Sequence, residues 1–145
     1  MSFSDFGLDE RLLQTIEELR YAAPMPIQAQ AIPAVLAGRD ILGRSQTGTG
    51  KTAAFGIPML QRMLPDSGRR IRALIVEPTR ELANQVNDYL MDLSRYIPLH
   101  GFSVTGGDDY ATQEHKIRLG ADWVVATPGR LNAHLRGGYM DLGGS

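Results

Sequence analysis

Apolar residues recur with two different periods along the chain. Near the N-terminus, five of them repeat at helical spacing and predict an amphipathic helix: Leu8, Leu12, Leu13, Ile16 and Leu19. Pro24 and Pro26 end that pattern, because a proline disfavours helical geometry in the residue before it. A short helix is expected next, and Pro33 is expected to open a further turn that ends at Gly38.

From residue 39 onward, short apolar runs alternate with helical ones. Four runs are expected to be strands, at residues 41–42, 72–76, 102–104 and 123–125. Each predicted strand is followed by a predicted helix. Pro58 is expected to kink the first of these four helices, and Gly120 is expected to end the third. The fourth helix is expected at residues 128–135. This alternation implies right-handed crossovers and an α/β fold, a parallel β-sheet with helices on both faces. The expected organisation is a helical segment, 1–38, followed by an α/β domain, 39–145.

Composition sets limits on what the chain can be. Its 145 residues suit one domain, and a hydrophobic content of 43% can support a buried core. There is no cysteine, which excludes disulfides and thiolate metal sites, and no apolar run approaches the roughly 20 residues that span a bilayer. The first residues lack the pattern of a signal peptide, so a cytoplasmic protein with no membrane partner is expected. The net charge of −1 argues against a broad basic surface.

Eight residues between the first predicted strand and its helix have the spacing of a phosphate-binding loop: Ser45, Gln46, Thr47, Gly48, Thr49, Gly50, Lys51 and Thr52. Gly48 and Gly50 allow positive φ, so that successive N–H groups can surround an anion near the positive end of a helix dipole. Lys51 would reach the β- and γ-phosphates, and the Thr52 hydroxyl would ligate Mg²⁺. The general pattern has glycine where this chain has Ser45. A glycine-rich turn with an incidental lysine is the alternative interpretation.

Serine at position 45 is compatible with the DEAD-box ATP-dependent RNA helicases, and residues 20–28 (RYAAPMPIQ) resemble the adenine-recognition element of that family, the Q motif. Phe3 has the expected spacing, seventeen positions before Arg20. The resemblance implies a P-loop, RecA-like ATP-binding domain in which Gln28 hydrogen-bonds adenine, Phe3 packs on its ring and Tyr21 lies in the same site. An amide suits adenine because it offers both a donor and an acceptor.

Two positions of this element depart from the family pattern. Arg20 stands where glycine is usual, and Met25 stands where threonine is usual. These differences bear on the details of the loop contacts.

Three further blocks resemble the RNA-contact motifs of the same family. The residues they would bring to RNA are Pro78, Thr79 and Arg80; Gly106 and Gly107; and Thr127, Pro128, Gly129 and Arg130. Each block lies where a strand ends and a helix begins, and can therefore present backbone N–H groups to a phosphate. Thr127 is expected to cap a helix that Pro128 opens. Arg80 and Arg130 are expected to add mobile positive charge, with internal ion pairs as the alternative for either. The implied partner is RNA, single-stranded or a short duplex, held by its backbone without sequence specificity.

The Asp-Glu-Ala-Asp motif of the family, which holds Mg²⁺ and activates water, does not occur in the sequence. The Ser-Ala-Thr motif and the second helicase domain are also missing. The resemblance therefore describes the first part of a RecA-like domain, ending before the hydrolytic carboxylates. We expect the isolated chain to bind nucleotide weakly, to show no RNA-stimulated ATP hydrolysis and to expose apolar sheet edges.

Glu77 supports a competing hypothesis. It ends an apolar run, as the acidic residue of another P-loop enzyme would, so a P-loop phosphotransferase using Glu77 is an alternative. A strand-end glutamate is more often solvated or caps a loop. A third possibility is a non-catalytic nucleotide- or RNA-binding module.

Overall fold

The computed structural model describes residues 2–21, 23–36, 49–65 and 71–140. The chain divides into two compact units, one of Met1–Pro65 with Asp92–Pro98 and the other of Asp66–Met91 with Leu99–Ser145. The predicted strand at residues 41–42 lies outside the described residues. The domain boundary between residues 38 and 39 also falls there and stays a prediction.

The first unit contains a 3₁₀ turn, Phe3–Phe6, and the helices α1 (Glu10–Glu18), α2 (Pro26–Leu36) and α3 (Thr49–Met63). The predicted amphipathic helix is confirmed as α1, which buries Leu12 and Ile16. Asp9 caps it by accepting a hydrogen bond from the Arg11 N–H. In the same unit, α2 packs against α3.

The prediction that Pro33 opens a separate turn is wrong. Pro33 lies inside α2, which runs without interruption from Pro26 to Leu36. A proline inside a helix removes one backbone hydrogen bond. Here the neighbouring Ile32 is fully buried, and that packing outweighs the lost bond.

The second unit alternates strands with helices. Its elements are β1 (Ala73–Val76), α4 (Arg80–Leu93), β2 (Gly101–Val104), α5 (Tyr110–Leu119), β3 (Trp123–Ala126) and α6 (Pro128–Arg136). The three described strands are parallel in the order β1-β3-β2, which confirms the predicted α/β class. The central strand β3 is buried along its whole length. Gly120 ends α5 with φ of 92°, as predicted. Within the described ranges, no helix combines the length and apolar composition that a bilayer crossing requires.

Trp123 fixes the packing at the start of the sheet. Its ring is fully buried, and its Nε1–H donates to Oδ1 of Asn87 at 2.9 Å. A Cβ on Gly101 would lie 2.3 Å from that ring. Glycine at the first position of β2 therefore makes room for the tryptophan, and the two residues pair across β2 and β3.

The amino ends of the strands are joined by Asp122, whose side chain is buried. Its Oδ1 accepts from Nη2 of Arg72 at 2.9 Å, and its Oδ2 accepts from the backbone N–H of His100 at 3.0 Å. Residues preceding all three strands are thus tied to one carboxylate. At this edge of the sheet, these polar groups bond to one another. The segments predicted to contact RNA follow the strands at the opposite edge.

Candidate functional site

The three predicted RNA-contact blocks come together at the carboxyl edge of the sheet. The strands are parallel and in register, with Val76 and Val104 both paired to Ala126 at their ends. The segments that follow these residues therefore leave the sheet at the same edge. They carry residues 78–80, 106–107 and 127–130, so the fold of the second unit brings all nine predicted residues to one place.

Arg130 joins the second and third blocks. Its Nη2 donates to the carbonyl oxygen of Gly106 at 3.2 Å, and its Nη1 donates to the carbonyl oxygen of Asp108 at 3.3 Å. The guanidinium carbon also lies 5.5 Å from the centre of the Tyr110 ring, within the range of a cation–π contact. Of the two expectations for Arg130, a mobile charge does not hold, because carbonyl groups and a ring already hold its guanidinium.

Gln113 connects Arg130 to the interior. It is 3% exposed, its Oε1 accepts from Nη1 of Arg130 at 3.3 Å, and its Nε2 donates to the carbonyl oxygen of Thr105 at 2.9 Å. The same Oε1 lies 2.8 Å from Nε2 of His134, and an amide oxygen can only accept, so this nitrogen carries a proton. The His134 ring stacks on Tyr110, and burial lowers the pKa of His134.

Sequence reasoning missed Gln113 and His134. A signal for Gln113 was present, because it stands four residues before Ile117 on α5 and hence on the buried face of the helix. A glutamine at such a position needs internal partners. His134 had a similar signal, because it stands three residues after Leu131 in the predicted last helix and hence on the same face.

Arg80 lies over Gly107, joining the first and second blocks. A Cβ on Gly107 would lie 2.3 Å from Nη1 of Arg80, so glycine is what allows the guanidinium to rest there. Nη2 of Arg80 lies 3.8 Å from Oδ1 of Asp108. Both side chains are exposed, so Arg80 remains available to a ligand in a way that Arg130 does not.

The helices that begin at this edge differ in how their first N–H groups are satisfied. Thr79 accepts from the Leu82 N–H of α4 at 3.2 Å, and Asp109 accepts from the Thr112 N–H of α5 at 3.0 Å. Thr127 occupies the predicted cap position of α6, but its hydroxyl makes no capping hydrogen bond. Thr127 therefore stands at the cap position that the sequence predicts, but its side chain does not bond to the helix.

Pro128 opens α6 as predicted, and Gly129 follows it in the first turn. A Cβ on Gly129 would meet nothing within 4 Å, so the space over this turn is open among the described residues. The positive end of the α6 dipole consequently faces a surface that a phosphate oxygen can reach.

The phosphate-loop motif is described in part. Residues 45–48, Ser45 to Gly48, lie outside the described residues, as do the side chains of Thr49 and Lys51. The backbone of α3 begins at Thr49, within the motif, as the sequence predicts, and Thr52 is buried in the first turn. The phosphate and Mg²⁺ contacts of this loop stay predictions.

The residues predicted to recognise adenine lie in the first unit. Phe3 is buried, and its ring centroid is 6.2 Å from that of Tyr21. Gln28 is 2% exposed, and its Oε1 accepts from the backbone N–H of Met25 at 2.9 Å. A pocket of about 520 Å³ adjoins the aromatic pair, lined by Phe3, Ser4, Leu13, Ile16, Glu17, Arg20 and Tyr21.

Arg20 lines this pocket with a φ of 62°, a conformation that glycine, the residue expected here from the resemblance, adopts most readily. The departure from the family pattern therefore places a strained residue beside the predicted adenine site.

Among the described residues, no group of three histidine, aspartate or glutamate side chains is placed to hold a metal ion.

Glu77 is buried rather than solvated. It is 6% exposed, its backbone N–H donates to the carbonyl oxygen of Ala126 at 2.9 Å, and burial raises the pKa of its carboxyl. The expectation of an ordinary solvated strand end is wrong, because the residue continues the pairing of β1 with β3 by one position.

Comparison with known proteins agrees with this geometry. The model of the DEAD/DEAH box helicase family matches residues 25–143. The chain is 44% identical to the ATP-dependent RNA helicase DeaD of Escherichia coli, over 97% of the chain and 22% of DeaD. It is 42% identical to the DEAD-box ATP-dependent RNA helicase RhpA of Helicobacter pylori, over 93% of the chain and 27% of RhpA.

A solved structure is similar as well. The hypothetical ATP-dependent RNA helicase from Sulfolobus tokodaii superposes with a TM-score of 0.81 at 37% identity, covering 92% of this chain and 38% of that one. The chain spans about a quarter of the length of these two curated relatives. With the family model covering most of its residues, the chain belongs to the DEAD/DEAH box helicase family.

Proposed function

We propose that the chain is the ATP-binding and RNA-contacting part of an ATP-dependent RNA helicase. The observation that carries the RNA half of the proposal is the convergence of three separate blocks at one sheet edge. Arg80 meets Gly107, and Arg130 meets Gly106, so that the blocks form one continuous surface.

This surface suits the phosphate backbone of RNA better than its bases. Its features are an exposed guanidinium on Arg80, an open first turn at Gly129 and the dipole of α6. Such groups attract phosphate oxygens whatever the base. A local arrangement of this kind also explains how a chain with a net charge of −1 can bind RNA. The proposed partner is single-stranded RNA or a short duplex, bound without sequence specificity.

ATP with Mg²⁺ is the proposed cofactor. The start of α3 inside the glycine-rich motif supports this, because it places a helix N-terminus where the terminal phosphates would bind. Lys51 would hold the β- and γ-phosphates and Thr52 the Mg²⁺, while Gln28 and Phe3 would select adenine. When bound, ATP supplies a phosphoanhydride whose hydrolysis drives conformational change. In the whole protein, a second helicase domain would close on this one in the cytoplasm and separate short duplexes.

The RNA half can be tested by fluorescence anisotropy with a labelled oligouridylate at low salt. Arg80→Gln is expected to weaken binding roughly threefold to tenfold and to reduce the salt slope by about one. Arg136→Gln is the matched control, because Arg136 is exposed at the opposite end of α6 and the charge change is the same. Equal effects of the two substitutions would contradict a localised RNA site.

The ATP half can be tested with a fluorescent ATP analogue. Lys51→Ala is expected to lower affinity roughly tenfold or more, because it removes a charge-assisted contact to phosphate. Lys116→Ala is the control, since Lys116 is the other lysine of the chain and lies exposed on α5. Unchanged affinity in the Lys51 variant would remove the nucleotide proposal.

The phosphotransferase hypothesis rests on Glu77, which is buried, and is tested by measuring ATP affinity and phosphoryl transfer to a small acceptor side by side. Glu77→Gln should leave ATP affinity unchanged if the residue only adjoins an RNA-contact block. In a phosphotransferase, the same substitution would abolish phosphoryl transfer to a small acceptor. The family match favours the first outcome.

A further inference from the structure

An acidic residue stands within the proposed RNA surface. Asp108 directly follows Gly107, and its carboxylate lies 3.8 Å from the guanidinium of Arg80. Given the proposed function, on which this inference rests, we propose that Asp108 competes with RNA phosphate for Arg80. The pair holds Arg80 while RNA is absent and sets the RNA affinity of the surface below what Arg80 alone would give.

The carboxylate of Asp108 is held in place independently of Arg80. Its Oδ2 accepts from the hydroxyl of Thr105 at 3.2 Å, and Thr105 is fully buried. Its backbone is held too, because the Asp108 carbonyl oxygen accepts from Nη1 of Arg130. Asp108 is therefore fixed on both sides, and Arg80 is the member of the pair that can move.

The neighbouring acid has a different role. Asp109 caps α5, accepting from both the N–H and the hydroxyl of Thr112. Its carboxylate is engaged by the helix that follows. Asp108 caps no helix, and its remaining carboxylate oxygen faces Arg80. Of the two adjacent acids, Asp108 is the one positioned to affect ligand binding.

The geometry of the ion pair allows a phosphate to replace Asp108 as the partner of Arg80. The side chains of Arg80 and Asp108 are 58% and 48% exposed, and an exposed ion pair at this separation is weak. A phosphate can offer the guanidinium two parallel hydrogen bonds and would displace the carboxylate. After the exchange, Asp108 would remain beside the bound phosphate as a like charge. The loss of the pair and this repulsion both lower RNA affinity.

The test is Asp108→Asn, measured by anisotropy with a labelled oligouridylate on the full 145-residue chain. The variant amide keeps an acceptor for the Thr105 hydroxyl but removes the negative charge. RNA binding is expected to tighten roughly threefold to tenfold at low salt, with a smaller gain at high salt. Asp88→Asn is the control, because Asp88 is exposed on α4 and carries the same charge change away from the edge. That variant should change affinity by less than about twofold.

A double-variant cycle identifies the route of the effect. If Asp108 acts through Arg80, most of the gain from Asp108→Asn should disappear in an Arg80→Gln background. Unchanged or weaker binding by Asp108→Asn, while Arg80→Gln still weakens binding, would overturn this inference and leave the proposed function standing. If Arg80→Gln does not weaken RNA binding, both the proposed function and this inference are overturned.

Discussion

Nη1 of Arg130 donates to Oε1 of Gln113 across 3.3 Å, and this bond links the proposed RNA surface to the interior of the second unit. Gln113 is buried, and its amide nitrogen reaches the carbonyl oxygen of Thr105, the residue that precedes the paired glycines. The position of Arg130 is thus set by a residue on a different helix. The proposed RNA surface therefore depends on packing inside the second unit.

Gln113→Met tests that dependence. The methionine would match the glutamine in size but would leave Arg130, His134 and the Thr105 carbonyl without this partner. The free energy of unfolding is expected to fall by roughly 1–3 kcal/mol, the usual cost of unsatisfied buried polar groups. Urea unfolding measures it, and Gln85→Met on the exposed face of α4 should stay within about 0.5 kcal/mol of the parent.

Two glycines should respond to alanine with opposite signs. Gly101→Ala would place a Cβ 2.3 Å from the buried Trp123 ring, and a loss of roughly 1–3 kcal/mol is expected from overpacking. Gly129→Ala meets open space inside α6 and should stabilise by roughly 0.5–1 kcal/mol through helix propensity. Urea unfolding of both variants is the check. A destabilised Gly129 variant together with an unaffected Gly101 variant would contradict the packing described.

Arg20 gives a test of backbone strain. Its φ of 62° is unfavourable for a residue with a Cβ, so Arg20→Gly should stabilise by about 1 kcal/mol. Arg20→Ala retains the Cβ and should give no such gain. Chemical denaturation distinguishes them, and equal effects of the two substitutions would show that the arginine side chain, rather than its backbone, decides stability.

Glu77 should make stability depend on pH. Burial raises its pKa above the ordinary value of 4.5, so the folded chain holds this proton more tightly than the unfolded chain. Stability is therefore lost as pH rises from 4.5 through the folded-state pKa. Glu77→Gln should raise the melting midpoint at pH about 7 and lose that advantage near pH about 4. Thermal melts across this range test it, with Asp88→Asn as the exposed control; a gain that does not change with pH would count against ionisation as the cause.

The strands and most helices could be predicted because their signals are local. The apolar run at residues 123–125 gave β3 to within one residue, and the pairing of Thr127 with Pro128 located the start of α6. The proline rule failed at Pro33, because the burial of Ile32 is a tertiary effect that no local signal contains.

The sequence also predicted that the three blocks follow strand ends, as they do, but it did not predict the interactions among them. Motif resemblance singled out Arg80 and Arg130 but left open whether each is a mobile charge or is held by an internal ion pair. Arg130 is held by Gln113, seventeen positions away, and Gln113 in turn faces His134, twenty-one positions away. Such bonds depend on how α5 and α6 pack. The same holds for Asp108, whose importance follows from the position of Arg80 and not from its sequence neighbours.

The central claim is that three blocks separated in sequence form one RNA-binding edge. Amide chemical shifts of the isotope-labelled chain, recorded while an oligouridylate is added, test it most directly. The largest changes are expected together in residues 79–82, 106–107, and 127 with 129–130, with His100 and Asp122 at the opposite edge unaffected. Changes confined to a single block, or centred on His100 and Asp122, would contradict the account.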